Sequence, residues 1–115
     1  MKLAGKRVLV FGAGISGIGA AGLLLDASAE VILYDGNEKL DEVQVRGKLP
    51  QEGRLEIVLG TLMPQLMDTL DLAVLSPGVP TDLPAVCELR RRNIPIWGEV
   101  ELAWQCGNGD VLAIT

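Results

Sequence analysis

Gly12, Gly14, Gly17 and Gly19 follow four apolar residues in the stretch VLVFGAGISGIG, residues 8–19. Glycines bring no side-chain chemistry. What they offer is bare backbone, and bare N–H groups at a helix start bind phosphate. Two overlapping G-x-G-x-x-G registers are present, Gly12-Gly14-Gly17 and Gly17-Gly19-Gly22. Only the first follows an apolar run directly, as a nucleotide-binding fingerprint requires. In that register Gly12 makes the turn, Gly14 lets a ligand approach the backbone, and Gly17 lets the helix pack near the strand. Gly19 and Gly22 then fall inside the helix beside Ala20 and Ala21, which predicts close packing of a small-residue face on the sheet. Ser16 stands at the helix start, able to cap it or to donate its hydroxyl to a phosphate oxygen.

Asp35 ends the next apolar run, 21 residues after Gly14. An acid at about that distance accepts hydrogen bonds from ribose hydroxyls in dinucleotide sites, and an Asp before a Gly also starts turns. A third piece is LSPGVP, residues 75–80. Ser76, Pro77 and Gly78 there end a further apolar run and read either as a plain strand-ending turn or as part of the same rim as Gly14 and Asp35, because ligands of doubly wound sheets sit outside the strands' carboxyl ends. Strand, glycine turn, helix, strand and acid in this order point to a nucleotide-type ligand. The residues alone leave its identity open between a dinucleotide of a dehydrogenase, an effector of a non-enzymatic sensing domain and another nucleotide.

Other chemistries are excluded by composition. The chain has no histidine, which removes Ser-His-Asp and Cys-His nucleophile systems and histidine-ligated zinc. Cys87 and Cys106 form no C-x-x-C pair and read as buried free thiols of a reducing compartment. The net charge of −5 repels a long polyanion, so nucleic acid is not expected as a partner. No apolar stretch is long enough to span a membrane, and MKLAGKRVLVF runs straight into the glycine turn without a cleavage site. A cytoplasmic location is expected. Arg90, Arg91 and Arg92 fall at a helix end, where cations complement the dipole. Glu99 and Glu101 lie two apart and do not share a helix face. Trp97 and Trp104 suit a core or a domain interface.

These residues need elements to hold them. RVLVF (7–11), EVILY (30–34), LEIVL (55–59), DLAVLS (71–76) and IPIW (94–97) read as short strands. Most are continuously apolar, as in parallel sheets covered on both faces. The stretches SGIGAAGLLLDAS, TLMPQLMDTL and LPAVCELRRRN between them read as helices; EKLDEVQVRGKL is broken by Gly47 and Pro50 and reads as partly loop. The expectation is a Rossmann-like, doubly wound α/β fold, with a mainly parallel sheet of about five strands and helices on both faces. GEVELAWQC (98–106) suits a last helix, and VLAIT (111–115) the first strand of a second domain, which puts an expected boundary after residue 110.

VLVFGAGISG, VILYD, LSPGVP and WGEVELA, in this order and spacing, resemble the N-terminal domain of the Mur ligases, and most of all the branch that extends a UDP-linked muramoyl substrate with D-glutamate. The resemblance covers essentially the whole chain. It implies that this domain grips the UDP portion of UDP-N-acetylmuramoyl-L-alanine and that catalytic residues lie elsewhere. Gly14, Ile15 and Ser16 match the loop that meets the uridine and diphosphate, and Asp35 the acidic strand end near the uracil. Gly36 and Asn37 follow in that loop, where some relatives carry a hydroxyl or a basic side chain. Ser76, Pro77 and Gly78 match the loop closing over the nucleotide. The resemblance also implies that a strand like VLAIT leads into a phosphate loop ending in Gly-Lys-Ser/Thr. ATP and Mg2+ would then be bound by a central domain and D-glutamate by a C-terminal one, with none of them held by residues 1–110.

Overall fold

A computed structural model describes residues 3–49, 53–60, 64–76, 79, 82–98, 101, 102 and 104, with backbone only at Ile15, Ser16 and Pro64. The chain alternates strands and helical segments: β1 (Arg7–Phe11), α1 (Ile15–Asp26), β2 (Glu30–Asp35), α2 (Glu42–Gly47), β3 (Arg54–Leu59), a 3-10 segment (Pro64–Thr69), β4 (Leu72–Leu75), α3 (Pro84–Arg91) and β5 (Ile96–Gly98). The five strands form one sheet in the order β3-β2-β1-β4-β5, and every pairing is parallel. This is the doubly wound arrangement expected from the apolar runs.

Two apolar layers explain why those runs do not alternate. Val8, Val10, Val31, Leu33 and Val74 point to one face, where Ala20, Ala21 and Leu24 of α1 and Val45 of α2 cover them. Leu9, Phe11, Ile32, Tyr34 and Leu75 point to the other, under Met67 of the 3-10 segment and Val86 and Leu89 of α3. Each fully buried Leu or Val contributes about 1.5–3 kcal/mol, so both faces select apolar residues. The chain closes α1 and α3 in the same way. Ser28 (φ 66°) and Asn93 (φ 59°) take the left-handed conformation. The following N–H groups of Ala29 and Ile94 then donate back to Leu24 and Leu89, satisfying last-turn carbonyls.

Several expectations are corrected. The fifth strand is Ile96–Gly98, not 94–97, because Ile94 is spent closing α3 while Pro95 contributes only its carbonyl, to the Ala73 N–H. The expected helix over 61–70 is, in its described part, a 3-10 segment of 6 residues beginning at Pro64. Cys87 is exposed, since α3 buries Val86 and Leu89 and position 87 lies about 100° around the helix from the first and about 160° from the second. Gly19 is exposed, and a Cβ at Gly19 or Gly22 would meet nothing within 4 Å. Close packing of α1 therefore rests on Gly17, Ala20 and Ala21 instead. Leu102, in the last helical stretch, is buried against the α1 face, while Trp104 is 52% exposed. Residues 105–115, with the expected domain boundary and next strand, lie outside the described residues, as do Pro77 and Gly78.

Candidate functional site

Sheet register brings the candidate residues to one rim. Phe11, the last residue of β1, pairs with Tyr34 on one side and Leu75 on the other. The residues that follow, Gly12, Asp35 and Ser76, therefore lie close together at the carboxyl ends of β1, β2 and β4, at the point where strand order reverses. That is where a doubly wound sheet opens a crevice.

The glycines divide the work of the first turn. Gly12 has φ +108°, which L side chains rarely adopt, and its N–H donates to the Tyr34 carbonyl at 2.6 Å. Gly17 is pressed onto that turn: a Cβ there would lie 1.6 Å from the Gly12 carbonyl oxygen. Gly14 is different. It is exposed and has an ordinary backbone (φ −75°, ψ −172°), and a Cβ on it would meet nothing within 4 Å. Gly14, not Ser16, is the N-cap of α1, because the helix begins at Ile15 and Ser16 is already its second residue; no side chain caps it. An α-helix start carries N–H groups without intrahelical partners and a partial positive charge. The space beside Gly14 is therefore open onto a helix start.

Ser76 stands across the crevice. Its N–H donates to the Phe11 carbonyl at 3.3 Å, and its Oγ lies 3.1 Å from where a Cβ of Gly12 would be and 3.5 Å from that of Gly17. The hydroxyl thus sits over the glycine turn.

Asp35 is half-buried and ties two loops together. Its Oδ2 accepts the Ala13 N–H at 2.9 Å and its Oδ1 the Asn37 N–H at 2.8 Å. Asn37 in turn spends its side-chain oxygen on the Lys39 N–H at 3.0 Å. Gly36 is exposed and borders a cavity of about 780 Å³ between Phe11, Tyr34, Met67, the α3 N-cap Leu83 and the first α3 residues Pro84 and Ala85.

Tyr34 carries more of this architecture than sequence reading assigned to it. Its ring packs edge-on against Phe11, with centroids 4.9 Å apart, and its hydroxyl donates to the Gly60 carbonyl at 2.7 Å. Burial, and then the neighbouring Asp35 carboxylate, push its pKa above the ordinary tyrosine value. The signal available in sequence was slight: Tyr34 is the single tyrosine of the chain and directly precedes the acid. At the far end of the cavity, Glu88 binds both Arg91 and Arg92, and Arg92 also bridges to Asp68. These hydrogen bonds hold the Glu88 carboxyl down to about 2 from 4.5. Two of the three consecutive arginines are therefore matched by acids, and Arg92, the C-cap of α3, ties that helix to Asp68 of the 3-10 segment.

The arrangement can grip a small phosphorylated ligand by backbone and hydroxyl groups, with the Asp35 carboxylate on the same rim and a largely apolar cavity beside it. Comparison with known proteins bears on which ligand. The model of the family described as Mur ligase MurD-like, N-terminal domain, matches residues 6–98. A UDP-N-acetylmuramoylalanine--D-glutamate ligase of Lachnospira eligens is 49% identical and one of Lachnoclostridium phytofermentans 50%, each over 100% of this chain and 25% of the relative. The chain thus spans about a quarter of the length of these curated relatives. Among solved structures, the shikimate dehydrogenase of Aquifex aeolicus superimposes with a TM-score of 0.54 at 16% identity, covering 91% of this chain and 47% of that one. That likeness shows a shared fold.

Proposed function

The chain belongs to the Mur ligase MurD-like N-terminal domain family, and from that premise we propose that it is the nucleotide-gripping part of a ligase that adds D-glutamate to UDP-N-acetylmuramoyl-L-alanine in peptidoglycan synthesis. The whole protein would be a cytoplasmic, ATP-dependent, amide-forming enzyme. Residues 1–110 would form its UDP-binding domain and 111–115 the first strand of a central domain that takes ATP and Mg2+. The muramoyl-alanine carboxylate would be phosphorylated by ATP and the amine of D-glutamate would displace phosphate from the acyl phosphate. Both steps would occur on the remainder of the protein, leaving this chain without turnover of its own.

The observation that carries this reading is the bare backbone at Gly14, on a helix start that shares its rim with Ser76 and Asp35. The chain's net charge is −5, and N–H groups at a helix start can attract a diphosphate without a basic side chain. Each hydrogen bond to a charged acceptor contributes about 1.5–3 kcal/mol. In this reading Gly14, Ile15 and Ser16 hold the diphosphate, and Asp35, Gly36 and Asn37 the uridine. Ser76, with Pro77 and Gly78 after it, closes the crevice. Each Asp35 oxygen keeps a second lone pair for the nucleoside beyond the N–H it already accepts.

Calorimetric titration of the complete ligase carrying this chain with UDP-N-acetylmuramoyl-L-alanine, UDP and NADH tests the reading. Saturable binding of the UDP-sugar, weaker binding of UDP and none of NADH are expected. Binding of NADH with none of the UDP compounds would overturn it in favour of a dehydrogenase-type ligand.

A further inference from the structure

We propose that Tyr34 is a positioning residue for nucleotide binding, one that holds the Asp35–Asn37 loop in place through Gly60 without touching the ligand. The inference rests on the reading that this loop receives the nucleoside.

The loop's own ties are local: Asp35 Oδ1 accepts the Asn37 N–H and Asn37 Oδ1 the Lys39 N–H. Gly36 and Asn37 are exposed, and the last register pair joining β2 to β3 is Asp35 with Leu59. Beyond that pair the ladder would fray, as strand ends do when nothing ties them. Here Gly60 continues the contact. Its N–H donates to the Asp35 carbonyl at 2.8 Å, and its φ of +92° turns the chain beneath the loop. A Cβ on Gly60 would lie 3.2 Å from Cβ and Oε2 of Glu38, so backbone and loop are already in close contact there. The Tyr34 hydroxyl fixes Gly60 from the other side by donating to its carbonyl at 2.7 Å. The ring cannot swing away freely, since it rests edge-on against Phe11.

The same residue reaches the glycine turn. Its backbone carbonyl accepts the Gly12 N–H, and the adjoining Asp35 carboxylate accepts that of Ala13. Tyr34 therefore stands between three segments: the turn after β1, the loop after β2 and the end of β3. A tyrosine hydroxyl ordinarily titrates near 10 and burial raises this one further, so it is a donor throughout the neutral range. Losing that donor removes the hydroxyl's hold on the part-buried Gly60 carbonyl and loosens the floor of the loop, while the ring and its packing survive.

Tyr34→Phe in the complete ligase is the test, with steady-state kinetics on all three substrates and thermal melting of the same protein. Loss of one hydrogen bond of about 1 kcal/mol predicts a KM for UDP-N-acetylmuramoyl-L-alanine raised about fivefold. The kcat and the KM values for ATP and D-glutamate should stay as in the parent, because the loop serves only the nucleotide. Gly60→Ala, which forces the same floor upward against Glu38, should produce the same split. An unchanged nucleotide KM in Tyr34→Phe would overturn the proposal, and so would a parallel loss of kcat and all three affinities with a lowered melting point. A parent enzyme that fails to use the UDP substrate at all would instead refute the functional reading itself.

Discussion

Two glycines of α1 separated by a single residue should respond to alanine in opposite directions. At Gly17 the added methyl would stand 1.6 Å from the Gly12 carbonyl oxygen and 2.7 Å from its carbon. Reaching even a tight 3.0 Å requires a separation of about 1.4 Å between the helix start and the turn. The obstacle is backbone, so no rotamer relieves it, and Gly12 is itself held by its N–H to Tyr34. Overpacking costs about 1–3 kcal/mol, and a backbone obstacle in a first turn belongs at the upper end. For a domain of this size about 3 kcal/mol corresponds to roughly 12–24 °C of melting temperature. Gly19→Ala meets nothing within 4 Å on an exposed helical face. It removes only glycine's entropic disadvantage, a gain of about 1 kcal/mol, and should raise the melting temperature by roughly 4–8 °C. Thermal and urea unfolding of the two variants beside the parent chain is the assay. A Gly17→Ala chain as stable as the parent would refute the packing argument, as would a destabilised Gly19→Ala.

Gly14→Val should fold, since its extended backbone suits valine and the space is open, at a cost of about 1 kcal/mol for a poorer cap. Nucleotide binding by the complete ligase should fall at least tenfold by calorimetry, because at least one charged hydrogen bond of about 1.5–3 kcal/mol is lost. Asp35→Ala should weaken nucleotide binding by about 1–3 kcal/mol and also lower stability by a similar amount, since the Ala13 N–H loses its acceptor; unchanged melting would show that the tie is idle. Glu88 has its pKa lowered from 4.5 to about 2 on folding by Arg91 and Arg92. Its contribution to stability is therefore fully present above pH 4.5 and is lost as pH falls through about 2. The stability difference between the parent and Glu88→Gln, followed by urea unfolding, should shrink across that window and be flat above it.

Much of this protein is legible in its sequence. Continuous apolar runs in RVLVF and EVILY announce strands covered on both faces, because burial is dictated residue by residue and leaves its mark in local pattern. The same locality made the glycine turn after β1 readable: a strand that ends in Gly-x-Gly can hardly do anything but turn. Asp35 was visible as a candidate from its place at the end of the second strand.

What stayed hidden depends on residues distant in sequence. A row of small residues in α1 does not say which of them is pressed against something. Only the crossing of helix and turn singles out Gly17 and leaves Gly19 and Gly22 facing open space. No local pattern pairs Asp35 with Ala13, 22 residues earlier, or Tyr34 with Gly60, 26 later. Those partners are chosen by sheet register, which sets Phe11 level with Tyr34 and Asp35 level with Leu59. Register is an outcome of the whole packed sheet, so the sequence by itself determined the fold and the turn, and the tertiary structure alone decided which atoms hold the rim in place.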